Sequence, residues 1–141
     1  MRIAIAVDGS DNSLRAVRYG LELAGRLKEA PTLILVNVHI SALISPVARG
    51  IDRKQVEQYM DEIAEEELAQ AKALVGQAGF SAEVIKGHGE IVPTLLEIIK
   101  KEKIDQLIVG GKGRSGLADL LIGSTTTKLI SHCPVPVTVV K

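Results

Sequence analysis

The residues of this chain best suited to chemistry lie between Gln106 and Ser124. A strand-like run, Gln106-Leu107-Ile108-Val109, breaks into Gly110-Gly111-Lys112-Gly113-Arg114-Ser115-Gly116, and Gly123-Ser124 follows before a helical pattern. Glycines let backbone N–H groups reach phosphate oxygens with no Cβ in the way. A helix beginning just beyond adds its unpaired N-terminal donors and the positive end of its dipole. The chemistry expected is therefore the binding of a phosphorylated ligand. The mononucleotide P-loop does not fit, because it requires Gly-Lys-Ser/Thr and here Lys112 precedes Gly113. The dinucleotide pattern G-x-G-x-x-G is matched by letter at Gly111, Gly113 and Gly116. It fails on context, since the ribose carboxylate expected roughly 20 residues on would fall at Pro136.

Other reactive side chains are sparser. Asp8, directly after a β-branched run, is either an N-cap for the following helix or an acceptor facing a ligand hydroxyl. Lys112 and Arg114 are phosphate contacts or ordinary surface charges. His88, between Gly87 and Gly89, reads as an exposed turn histidine, with no second ligand fixed beside it. The acidic run Asp61-Glu62, Glu65-Glu66-Glu67 reads as a solvated helix flank rather than a metal site. Cys133, the single cysteine, excludes an internal disulfide and a cysteine metal cage, and packing before Pro134 is the simpler role.

The elements that must position these groups follow from periodicity. Ile3–Val7 reads as a buried strand, and Asp8–Ser13 as a turn rich in caps. Leu14–Leu27 reads as a helix with Leu14, Val17, Leu21 and Ala24 on one stripe. Leu33–Val38 is nearly continuous in apolar character, as in a central parallel strand. His39–Asp52 has no clean period and is expected to be a long connection in which Ile44, Val47 and Ile51 form a flap. A helix is predicted from Arg53 to Gln77, with Gly79 as its C-terminal cap, and a less apolar edge strand from Ser81 to Lys86. Helix Ile91–Lys101 carries Pro93 in its first turn, where a missing N–H costs little. Strand Ile104–Val109, helix Ser124–His132 and strand Val137–Val140 complete the chain. This alternation predicts an α/β fold in one domain over residues 1–141, with five parallel strands, right-handed crossovers and helices on both faces. A ligand would then sit beyond the carboxyl ends of the strands, which brings Asp8, Val38 and Gly110 to one end of the sheet.

Length and composition agree with that class. The chain has 141 residues, and its 17 basic and 17 acidic residues cancel, so no global field draws nucleic acid or an acidic membrane. The start, Met1 to Asp8, turns acidic too soon for a signal peptide, and no apolar run approaches a membrane span. The location expected is the cytoplasm.

The spacing Gly110-x-x-Gly113, nine residues, Gly123-Ser124 resembles the nucleotide signature of the ATP-binding branch of the universal stress protein family. Ala6-Val7-Asp8-Gly9-Ser10 and the ending Ser131 to Val140 join the resemblance, which covers the whole chain. It implies ATP as the ligand, with AMP or ADP as alternatives and Mg²⁺ arriving on the phosphates. Asp8 would lie beside the ribose and the main chain of Val38 against the adenine edge. Gly110 and Gly113 would allow close passage of ribose and phosphates, with Gly111, Lys112, Arg114, Ser115 and Gly116 completing the loop. Gly123, Ser124, Thr125 and Thr126 would open a helix onto the outer phosphates. The departures are Ala6, where some nucleotide-binding members have proline, and the triple threonine Thr125-Thr126-Thr127. The resemblance also implies a homodimer formed by pairing of the last strand, Val137, Thr138, Val139 and Val140, whose edge would otherwise be open.

Three functions remain open at this stage. One is a regulatory protein that holds nucleotide and signals occupancy. The second is a slow ATP hydrolase or adenylyl-transferring enzyme of the same fold, although the Ser-Gly-Gly-x-Asp-Ser loop of its pyrophosphatase relatives is absent after the first strand. The third is a dimerisation module with a vestigial pocket.

Overall fold

A computed structural model describes residues 1–40, 50, 52–112 and 122–141. The elements in chain order are β1 (Arg2–Ala6), α1 (Asp11–Arg26), β2 (Thr32–His39), α2 (Arg53–Gln77), β3 (Ala82–His88), α3 (Ile91–Lys101), β4 (Gln106–Gly110), α4 (Ser124–His132) and β5 (Val137–Val140). The strands form one sheet of five in the order β3-β2-β1-β4-β5, every neighbouring pair parallel. The α/β class and the strand succession match expectation. The winding reverses between β1 and β4, so the crevice of an open sheet falls at the carboxyl ends of β1, β2 and β4.

The sheet is covered on both faces because its central strands are apolar on both. Alternate residues Ile3, Ile5, Leu33 and Leu35 pack with Val17, Leu21, Leu68 and Ala71 of α1 and α2. The intervening Ala4, Ile34, Val36 and Leu107 pack with Leu95, Ile99 and Leu129 of α3 and α4. Each fully buried Leu or Ile contributes about 1.5–3 kcal/mol relative to exposure. At the carboxyl end of β2 this apolar continuity stops, and Asn37 is a buried polar residue with 1% exposure.

Several boundaries differ from the sequence reading. Helix α1 begins at Asp11 rather than Leu14, and Ser10 is its N-cap: the Ser10 Oγ accepts from the Ser13 N–H at 3.2 Å. The capping role considered for Asp8 therefore belongs to Ser10. Strand β2 continues through His39, and β3 through His88, because the two strands stay in register to His39↔His88. His88 is exposed, as expected, though on a strand rather than in a turn. Strand β4 starts at Gln106, two residues after Ile104. Helix α2 has the predicted bounds; Asp52 caps its start by accepting from the Lys54 N–H at 3.1 Å, and Gly79 follows its end at φ 77°. Ile44, Val47 and Ile51 of the expected flap, and Gly113, Arg114, Ser115 and Gly116 of the glycine loop, lie outside the described residues.

Candidate functional site

A cavity of about 420 Å³ opens at the carboxyl end of the sheet. Its apolar floor comes from Val36, Val38, Leu95, Val109 and Leu129, and its polar rim from Asp8, Ser13, His39, Glu67, Lys112 and Ser124 through Thr126. Of the residues singled out by sequence, Ala6, Asp8, Val38, Gly110, Lys112, Gly123, Ser124, Thr125 and Thr126 all line it. Gly111 does not belong to the lining: it is buried behind the rim, its N–H donating to the Val140 carbonyl at 2.7 Å and its carbonyl accepting from the Gly123 N–H at 2.8 Å.

At one end of the cavity the Asp8 turn is fixed by its own hydrogen bonds. Asp8 Oδ1 accepts from the Ser10 N–H at 2.9 Å and from the Ser10 hydroxyl at 2.5 Å. The Ser13 hydroxyl donates to the Ser10 carbonyl at 2.9 Å. This is the local side-chain-to-backbone geometry expected of an Asp two residues before a Ser, and it leaves the carboxylate at the cavity edge. Gly9 carries the turn at φ +79°, a region L side chains rarely adopt.

At the other end, α4 starts with Gly123 as N-cap and has no side-chain cap hydrogen bond. The first-turn N–H groups lack intrahelical acceptors by construction, and Ser124 and Thr125 of that turn line the cavity. The Thr126 hydroxyl donates to the Gly110 carbonyl at 3.0 Å, and the residue is buried, so its side chain ties α4 to β4. Thr127 Oγ likewise donates within the helix, to the Gly123 carbonyl at 3.0 Å. Gly110 also has a structural reason to lack a Cβ, which would stand 2.8 Å from the backbone carbon and oxygen of Asn12. Its glycine is demanded by the start of α1, whatever approaches from the cavity.

Beneath the Asp8 turn lies a cluster that the sequence reading missed. Glu67, in the acidic run assigned to solvent, is buried at 8% exposure, whereas Glu65 and Glu66 are exposed. Asn37 Nδ2 donates both to a Glu67 carboxylate oxygen and to the Val7 carbonyl, each at 2.8 Å. The same Glu67 oxygen lies 2.9 Å from His39 Nε2. The signal was present in α2: Met60, Ala64, Glu67, Ala71 and Val75 fall at three- and four-residue spacings on the buried stripe, with a carboxylate in the middle. Glu65 behaves in the opposite way. It is exposed, and contacts from Lys72 Nζ at 2.6 Å and Lys86 Nζ at 2.5 Å hold its carboxyl down at about 2, while Asp61 and Glu65 raise the Lys86 ammonium.

The model of the universal stress protein family matches residues 1–141. This chain belongs to the universal stress protein family. It is 29% identical to universal stress protein YxiE of Bacillus subtilis over 95% of each chain. Among solved structures it superposes on the universal stress protein UspA from Lactobacillus plantarum with a TM-score of 0.82 at 20% identity, covering 100% of this chain and 97% of that one. A universal stress protein solved in complex with cAMP is 26% identical, with a TM-score of 0.66 and coverage of 100% and 96%. Among the described residues of this universal stress protein, no helix is long and apolar enough to cross a membrane, and no group of three or more His, Cys, Asp or Glu could hold a metal ion.

Proposed function

We propose that this universal stress protein binds an adenine nucleotide, ATP foremost and AMP or ADP alternatively, and that occupancy is its regulatory signal. The observation that carries the reading is the convergence of a carboxylate, an apolar wall and an uncapped helix N-terminus on one cavity of about 420 Å³, within the size range of small-molecule sites. The base would lie against Val38, the sugar hydroxyls would donate to Asp8, and the phosphates would meet the first-turn N–H groups of α4, with Lys112 on the same rim. The relative solved with cAMP supports an adenine ligand for the family's pocket. Mg²⁺ would be carried by phosphate oxygens and water, its usual mode beside nucleotides. Thermal unfolding with ligand added tests the reading: millimolar ATP should raise Tm by mass action, and GTP should raise it less. No shift with any adenine nucleotide would contradict it.

We also propose self-association through β5, which is an edge strand of half-buried residues. The Pro136 and Val140 carbonyls accept from Leu107 and Gly111 of the β4 side, so Thr138 faces β4 as well and the outward backbone belongs to Val137 and Val139. Val139→Pro should therefore shift the mass in solution towards monomer while leaving the β4 ladder intact. An unchanged dimer mass would refute the interface.

A further inference from the structure

The cluster below the Asp8 turn has a consequence for which sugar the site accepts. An ionised carboxylate is seldom buried unless partners compensate its desolvation. Glu67 has such partners, and they lead to the site: Asn37 Nδ2 bridges the Glu67 carboxylate and the Val7 carbonyl at 2.8 Å each. Val7 is the residue before Asp8, and its own N–H donates to the Val36 carbonyl at 2.8 Å. On the other side Gly9 lies against the same glutamate, close enough that a Cβ there would be 3.2 Å from Glu67 Cγ. Both neighbours of Asp8 are thus held by one side chain of α2, one through a hydrogen-bonded amide and one by direct packing. His39, 2.9 Å from the shared Glu67 oxygen, limits the carboxylate's freedom from the β2 side.

We infer that Glu67 and Asn37 are positioning residues that set the height of the Asp8 carboxylate in the cavity and thereby the site's discrimination between ribose and deoxyribose. The inference rests on the proposed nucleotide reading, in which Asp8 accepts from a sugar hydroxyl. A hydrogen bond to a charged acceptor depends on distance and angle, so a displaced turn weakens the hydroxyl contact.

The test is the ratio of dissociation constants for the 2′- and 3′-deoxy analogues of ATP to that for ATP, measured by calorimetry on the full chain. The unmodified protein should prefer ATP by about tenfold over at least one analogue, the equivalent of one charge-assisted hydrogen bond. Asp8→Asn should reduce the preference. Glu67→Gln, which keeps the shape and an acceptor for Asn37, should reduce it to about twofold. Should Glu67→Gln fail to fold by circular dichroism, Asn37→Ala removes the amide that joins Glu67 to Val7 from outside the cavity lining and should reduce the ratio likewise. A folded Glu67→Gln or Asn37→Ala that keeps the wild-type ratio, while Asp8→Asn loses it, overturns the positioning role alone. An unmodified protein that binds ATP with no sugar preference overturns the assignment of Asp8, and this inference with it.

Discussion

The two ends of the cavity are built by different physics. At the Asp8 end the surface is made by side chains held from below: buried Asn37 and Glu67, with part-exposed His39, form a polar cluster under a turn that a positive-φ glycine carries. At the α4 end it is made by main chain. Gly123 begins the helix without a side-chain cap, and the Thr126 hydroxyl is committed to the Gly110 carbonyl. The first end ties the proposed sugar contact to stability, because Asn37 and Glu67 beneath it are buried and hydrogen-bonded to each other. In the proposed reading the second leaves phosphate recognition to backbone donors, which side-chain changes barely alter.

Substitutions at each end should make that contrast measurable. The largest effect is expected from Glu67→Ala, which removes one acceptor of the Asn37 amide and the partner of His39; urea unfolding should show a loss of about 3 kcal/mol. Ser124→Ala at the opposite end should stay within about 0.5 kcal/mol of the parent, and equal losses at both ends would break the comparison. Ser124→Pro is the next largest. Proline is tolerated at the first helical position and Gly123 already has a compatible ψ of 154°, so stability should hardly change. The missing N–H should still weaken ATP binding by about tenfold in calorimetry. If affinity is retained, the Ser124 N–H is not a phosphate contact.

The smallest effect concerns acid. The Glu65 carboxyl is lowered from 4.5 to about 2 by hydrogen bonds from Lys72 and then Lys86. Its contribution to stability is therefore complete above about 4.5 and is lost as pH falls through about 2. Because Glu65 is exposed, salt should screen this contribution. Glu65→Gln should make Tm slightly less sensitive to pH across that window at low ionic strength, and an unchanged slope would show that the network is without net effect. Lys86 contributes with the opposite sign, its stabilisation lasting into more alkaline solution because its ammonium is raised.

The α/β order and both bounds of α2 were legible because strand and helix periods alternate cleanly and Gly79 lies just past the end of α2. The α4 end was legible in part: Gly110, Lys112 and Gly123 through Thr126 line the cavity, whereas Gly111 sits behind it and residues 113–116 lie outside the described residues. Of the polar groups at the other end, only Asp8 was legible. Glu67 was hidden by its neighbours: in Asp61 to Glu67 charge dominates the reading, and only the stripe through Met60, Ala64 and Ala71 separates the buried carboxylate from exposed ones. Asn37 was absorbed into an apolar strand because its partners, Val7 and Glu67, are each 30 residues away. The extra residues of β2 and β3 come from pairing between strands, which neither strand encodes alone.

The two ends of the cavity are proposed to act on one ligand. Calorimetric titration of the unmodified protein with ATP, adenosine and inorganic triphosphate tests it most directly. The prediction is saturable heat at one ATP per chain, with adenosine and triphosphate each binding far more weakly than ATP. Triphosphate binding as tightly as ATP, or no heat from ATP at millimolar concentration, would contradict it.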